Sequence, residues 1–233
     1  GCEWDKRQTH QSLVPYLLEE TYEVIESIEN NDMEGLKEEL GDLMLHVIFQ
    51  AKLAENDGYF NISDSLDEIS SKLIRRHPHI FMDDVDSDGS KVSWEKAKKE
   101  EKNRQSVIDG VPKSLPALTR ARRVQEKASS VGFDWNSIDP IWDKIEEEII
   151  ELREAITSKN TDRIVDEMGD VIFSFVNLSR YLEIDPESSV RYAIRKFSNR
   201  FKKVEKLIEK QGKKMDDTNL EELDILWNKI KKQ

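Results

Sequence analysis

The chain has one cysteine, Cys2, among 233 residues. It cannot form an intramolecular disulfide, which argues against a small secreted scaffold held by cross-links and for a reducing compartment. Nine glycines and six prolines exclude collagen-like and Pro/Gly-rich low-complexity chains. No apolar run approaches the roughly 20 residues that span a bilayer, and no charged-then-apolar N-terminal segment reads as a signal peptide. A cytoplasmic protein with no membrane partner is expected. Basic residues are the minority, 36 against 48 acidic, for a net charge of −12. That field opposes nonspecific contact with nucleic acid, so none is expected as a partner, and a phosphate-bearing ligand would need an intervening cation. The chain opens on Gly1 rather than methionine and reads as a fragment of a longer protein.

What the sequence does contain is an internal repeat. Glu19-Glu20-Thr21-Tyr22-Glu23 returns as Glu147-Glu148-Ile149-Ile150-Glu151, and Glu39-Leu40-Gly41-Asp42 returns as Glu167-Met168-Gly169-Asp170, both at a spacing of 128 residues. Lys72-Leu73-Ile74-Arg75-Arg76 resembles Lys196-Phe197-Ser198-Asn199-Arg200 at a spacing of 124, as a short loop deletion would produce. Two copies of one helical unit follow, residues 1–116 and 117–233. Apolar residues at helical spacing predict a hairpin of helices over about 12–29 and 33–55, with Asn30-Asn31-Asp32 as turn and N-cap. Asn61 caps a third helix ending near Pro78. An acidic loop over 83–90, a charged helix over about 94–104 and a Pro112/Pro116 connector lead to the second hairpin, about 140–157 and 161–183. A third helix over about 187–211 and a last helix after Asn219 complete the unit. No segment alternates with period two, so an all-α fold is expected.

The acids of the repeat are its chemistry. At about 100° per residue Glu19, Glu23 and Glu20 project within one arc of the first helix. A solvated acidic face would look the same. The second helix differs, because Glu39 and Asp42 open the run Leu43-Met44-Leu45-His46-Val47-Ile48-Phe49, apolar nearly all round, and the second copy repeats this after Glu167 and Asp170. Carboxylates placed partly inside a bundle need cations or partners. Five acids keep their type between copies while many neighbours change. Hard oxygen ligands without thiolates or clustered imidazoles favour Mg²⁺, with Mn²⁺ as the alternative. A di-iron bundle would carry Glu-x-x-His, which is absent. His46, four residues after Asp42, has Ser174 as its counterpart and reads as a satisfied interior histidine. The i, i+4 pairs Lys72/Arg76 and Lys196/Arg200 can meet phosphate oxygens.

Taken together, these motifs resemble the MazG family of nucleoside triphosphate pyrophosphohydrolases. The resemblance rests on Trp4-Asp5-Lys6 with Gln8-Thr9-His10, both acid sets, Arg75-Arg76-His77-Pro78-His79-Ile80-Phe81, Ser114-Leu115-Pro116-Ala117-Leu118 and Val131-Gly132-Phe133-Asp134-Trp135. It covers essentially the whole chain. It implies hydrolysis of a nucleoside triphosphate to monophosphate and pyrophosphate with Mg²⁺, in a homodimer whose paired hairpins make four-helix bundles. In that family the second copy is the better established catalytic unit. The resemblance then assigns Glu147, Glu148, Glu151, Glu167 and Asp170 as metal ligands or water activators, with Glu20, Glu23, Glu39 and Asp42 as the first-copy metal set. Lys196 and Arg200 become phosphate contacts. Glu3 stands where the family has proline, and Asn199 where it has arginine. Some members follow a tetrapyrrole-methylase-like domain, and the start at Gly1 would suit such a C-terminal part.

Other signals read more plainly. Asp84, Asp86, Asp88-Gly89 and Glu95 match a calcium-loop pattern, but Lys91 and Pro78 spoil it, leaving an acidic linker. His77 and His79 flank Pro78 as a helix end. Phe133 and Trp135 read as core anchors or as a base-stacking pair. The rival to the enzyme reading is a helical dimerisation or regulatory module whose acids hold structural metal, and within the enzyme class it is hydrolysis to diphosphate and phosphate.

Overall fold

The structure is a computed structural model that describes residues 1–81 and 105–231, apart from the side chains of residues 78 and 79. Among these residues all regular structure is helical. The helices are α1 (Val14–Asn30), α2 (Met33–Asn56), α3 (Ile62–Arg76), α4 (Ala117–Ser129), α5 (Asp139–Ser158), α6 (Thr161–Tyr181), α7 (Pro186–Lys210) and α8 (Leu220–Lys231). A single turn, Pro78–Phe81, follows α3. The acidic loop, its calcium-like pattern and the helix expected over 94–104 lie outside the described residues. The chain divides into two compact units, Gly1–Ser90 and Lys91–Gln233, a division that falls ahead of the 116/117 boundary read from the repeat.

Both hairpins turn by the same chemistry. Asn31 and Lys159, which are 128 residues apart, adopt left-handed backbone at φ 55° and 54°. Each is followed by an N-cap, Asp32 accepting from Gly35 N and Asn160 from Arg163 N. A cap of this kind contributes about 1 kcal/mol. Asn61 and Asp64 form a reciprocal capping box that opens α3, and His77 closes it, its Nδ1 lying 2.9 Å from the Leu73 carbonyl. These are the boundaries that the cap residues predict.

Helix α4 was not anticipated. In the 128-residue register its first-copy counterpart would precede Gly1, so self-similarity gives no sign of it. Its own sequence is amphipathic and enters from Pro116, whose side supplies no cap bond. Gln125 on α4 donates through Nε2 to the Phe173 carbonyl of α6 at 2.9 Å, and Arg122 reaches Asp185, the N-cap of α7, at 2.7 Å.

Packing within each unit is thin. Leu13, Ala51 and Ala54 are the buried hydrophobics among the described residues of the first unit. In the second, Ile141 and Ile145 of α5 meet Leu178 of α6, and Val204 and Ile208 of α7 meet Ile230 of α8. Meanwhile Met44, Leu45, Val47 and Ile48 on α2, and Ile172, Phe173 and Phe175 on α6, stay exposed in the single chain. The all-round apolar character of the second helix of each hairpin is therefore only half used by its own unit.

Candidate functional site

Each hairpin brings one carboxylate group together. Glu20, Glu23 and Glu39 lie with carboxylate oxygens within 4.8 Å of one another, and so do Glu148, Glu151 and Glu167. The spacing explains this: α1 and α5 each supply two acids a turn apart, and α2 and α6 each supply one from the facing helix. Asp42 and Asp170 stand beside these triads rather than in them. Asp42 is close enough to push up the Glu20 carboxyl, and Asp170 lines a cavity with Glu148. Glu19 and Glu147 are exposed.

The electrostatics mark both triads as crowded. Partial desolvation, then the charges of Glu23 and Asp42, raise the Glu20 carboxyl above its ordinary value. Desolvation, then Glu23 and Glu38, raise Glu39. In the second unit desolvation, then Glu167 and Glu148, raise Glu151, and desolvation, then Glu148, raise Asp170. Glu148 is 6 % exposed, and its Oε2 is buried with no hydrogen-bond partner. An anionic oxygen left this way is costly unless a cation meets it.

One cation already approaches. Lys144 Nζ lies 2.7 Å from Glu148 and 3.0 Å from Glu147, and these bonds hold its ammonium well above the usual lysine range. The repeat did not reveal Lys144, because Tyr16 occupies its place in the first copy. An i, i+4 search from Glu148 would have found it.

Among the described residues no ion pair joins Lys196 or Arg200 to the acids. Lys196 is exposed, its Nζ 5.3 Å from the Tyr192 ring centroid, and Arg200 is half-buried on the same helix. In the first unit Lys72 is 3.7 Å from Glu68, and Arg76 is buried.

A cavity of about 370 Å³ opens beside the second triad, lined by Lys144, Glu148 and Asp170 at one end and by Gln125, Phe173 and Asn177 elsewhere. The loop after α4 closes one side. Asp134 accepts from Arg180 Nη1 at 2.9 Å and from Ser129 Oγ at 2.7 Å, and a second Arg180 nitrogen completes the fork. Burial opposes ionisation of Asp134, but these bonds outweigh it and hold the carboxyl below its ordinary value. Phe133 and Trp135 line the cavity and are exposed, 83 % and 41 %. They are not the core anchors that aromatics after a loop glycine would ordinarily become. His46 is buried as expected, but its Nδ1 has no hydrogen-bond partner, so it is not the satisfied interior histidine read from the sequence.

The family model for the MazG nucleotide pyrophosphohydrolase domain matches residues 8–81 and 137–205, once in each copy. A nucleoside triphosphate pyrophosphohydrolase/pyrophosphatase MazG of Thermotoga maritima is 50 % identical, over 99 % of this chain and 89 % of its own length. A nucleoside triphosphate pyrophosphohydrolase of Escherichia coli K12 is 41 % identical over the whole of this chain and 91 % of its own. The uncharacterized protein YabN of Bacillus subtilis is 42 % identical over 99 % of this chain but only 48 % of its own length. With both copies matched and near-whole-length similarity to two of these relatives, the chain belongs to the MazG nucleotide pyrophosphohydrolase family.

Proposed function

We propose that the protein hydrolyses nucleoside triphosphates to nucleoside monophosphate and pyrophosphate, with the second unit as the working site. The observation that carries this reading is the Glu148, Glu151 and Glu167 triad, with its partnerless buried oxygen, opening onto a cavity large enough for part of a nucleotide. The relatives from Thermotoga maritima and Escherichia coli bear the name of this activity. Clearing unwanted nucleotides from a cytoplasmic pool is the role that such chemistry would serve.

The donor set suits a hard divalent ion. Both triads consist of carboxylates alone, which favours Mg²⁺ and admits Mn²⁺. Glu148, Glu151 and Glu167, with Asp170 beside them, would hold it, and Glu20, Glu23, Glu39 and Asp42 offer the same set in the first unit. Bound there, the ion supplies Lewis acidity and a water of lowered pKa. One of Glu147, Glu148 and Glu151 would orient the attacking water and take its proton. Lys144 gives up part of its pairing with the acids as the polyphosphate arrives. Lys196 and Arg200 meet the charge that develops on the pyrophosphate leaving group, and Lys72 and Arg76 hold the corresponding places in the first unit. Trp135 stacks on the base.

A second copy of the chain is the proposed cover for the exposed apolar faces of α2 and α6. Each hairpin contributes only two helices, and three matching second-helix positions, Met44/Ile172, Leu45/Phe173 and Val47/Phe175, are bare in both units. Pairing two hairpins completes a four-helix bundle and places a large apolar area out of water.

Incubation with Mg²⁺ and each nucleoside triphosphate tests the reading. Monophosphate and pyrophosphate are expected, and both should vanish in Glu148→Ala and Asp170→Ala. Diphosphate and phosphate would indicate the other hydrolysis. Inert wild-type protein, or unchanged rates in both variants, would defeat the proposal.

A further inference from the structure

The cavity beside the second triad has more polar detail than a phosphate site needs. Gln125 is 8 % exposed, and its Nε2 donates to the Phe173 carbonyl. That bond fixes the orientation of the amide and leaves Oε1 buried in the cavity wall with no hydrogen-bond partner. Asn177, equally buried, accepts from Arg180 Nε at 3.0 Å through Oδ1. The residue lines the same cavity, and with Oδ1 engaged its remaining hydrogen-bonding group is the Nδ2 donor. A buried acceptor held this way is unfavourable until something donates to it.

The placement of these groups selects the ligand part. Seven residues separate Ile141 from Glu148 on α5, and seven separate Asp170 from Asn177 on α6, about 10 Å of helix in each case. Because the hairpin is antiparallel, the carboxylates share one end of the cavity, and Ile141 and Asn177 share the other. Phe173, between Asp170 and Asn177 on α6, and Trp135 add apolar surface to the lining. A group that fits is flat, apolar on its faces, and carries a donor beside an acceptor on its edge, with a polyphosphate about one sugar away. The edges of nucleobases have that character.

We infer that Gln125 and Asn177 read the edge of the base that this cavity takes up: Gln125 Oε1 accepts an N–H from the base edge, and Asn177 Nδ2 donates to the neighbouring ring nitrogen or carbonyl. The inference rests on the triphosphate hydrolysis proposed above, and it makes Gln125 and Asn177 binding residues of that reaction. Asp134 is a positioning residue, since it acts through Arg180, which orients Asn177.

The test compares wild type with Gln125→Met and Asn177→Asp. The first keeps the shape and removes the acceptor, and the second keeps the bond to Arg180 and removes the donor. For nucleoside triphosphates each variant should raise KM about tenfold, while KM for inorganic tripolyphosphate stays within about twofold. Parallel shifts for both substrates, or none, would overturn the inference and leave the hydrolysis reading standing. If wild type hydrolyses no nucleotide, binding of the four uncharged nucleosides to the metal-free protein, followed by saturation-transfer NMR, still decides. Binding by wild type that weakens about tenfold in both variants supports the base site; absent binding, or equal binding in all three proteins, overturns it. Should Gln125→Met fail to fold, Asn177→Asp decides alone in both assays.

Discussion

In the 128-residue register Leu13 falls on Ile141, and both are 1 % exposed, so the two units are built around the same apolar position. Each gathers three acids whose carboxylate oxygens lie within 4.8 Å of one another. The surroundings are not alike. Lys144, which pairs with Glu147 and Glu148, is replaced by Tyr16; Asn177 by Phe49; Ser174 by His46; and Arg180, forked onto Asp134, by Lys52, which pairs with the exposed Glu55. The first unit instead joins His10 to Gln50 across α2. One copy thus keeps its acids and has apolar or bulky groups where the other has a lysine, an amide and a clamped loop. On the function proposed above, retention of the acids together with loss of their neighbours suits a first unit that holds metal and a second that also holds substrate.

The sharpest way to break that comparison is to cut both triads. Glu148→Ala should lower kcat by on the order of a hundredfold or more, the scale of a lost catalytic carboxylate, whereas Glu20→Ala should leave it within a few-fold. Equal losses in steady-state pyrophosphate release would show both copies to be catalytic. Next comes the clamp. Asp134→Ala leaves a mostly buried Arg180 without its forked partner and should cost about 2 kcal/mol, read as a lower urea midpoint. Lys52→Ala, at the same register position as Arg180 but exposed, should cost under about 0.5 kcal/mol. A similar midpoint shift in the two variants would mean that the loop after α4 is not fastened by this pair.

Much of this was legible before the fold was known, for identifiable reasons. Hairpins, caps and acid triads are local and repeated, so one register exposed Asp32 with Asn160 and Glu20 with Glu148. What the register could not show is whatever only one copy has. Helix α4 has no counterpart after Gly1, Lys144 is paired with a tyrosine, and Gln125 matters through a single unbonded oxygen that no spacing encodes. Trp135 was identified from its motif, but its exposure beside a cavity depends on Asp134 and Arg180, which are 46 residues apart in the sequence.

The lysine offers the next test of the comparison. Lys144→Met removes the cation nearest the second triad, and with it a competitor for the metal. Divalent binding there should tighten about threefold, an effect below 1 kcal/mol because Lys144 is more than a third exposed. Titration calorimetry with Mn²⁺ would resolve it, and the first-unit variant Tyr16→Phe should change nothing. Weaker binding in Lys144→Met would show that the lysine orders the acids rather than competing for them.

The smallest effect is the pH response of the metal-free protein. Glu20, Glu39, Glu151 and Asp170 all have folded pKa values above their ordinary ones, so the folded state binds more protons than the unfolded one just above pH 4.5. Stability should therefore rise as the pH falls from neutrality into that window, by a few degrees in Tm. Saturating Mg²⁺ should abolish the rise, because the ion replaces the protons. Asp134 and Asp185 act in the opposite sense. Against the opposing effect of burial, Arg180 and Ser129 hold Asp134, and Ser188 ahead of Arg122 holds Asp185, below the ordinary value of 3.8, so their contribution is complete above about pH 4 and fades as the pH falls through their folded pKa. Both clamps belong to the second unit, so that unit should be the first to melt in stronger acid, with near-ultraviolet changes at Trp135 ahead of those at Trp4. The reverse order would place the acid-labile contacts in the first unit instead.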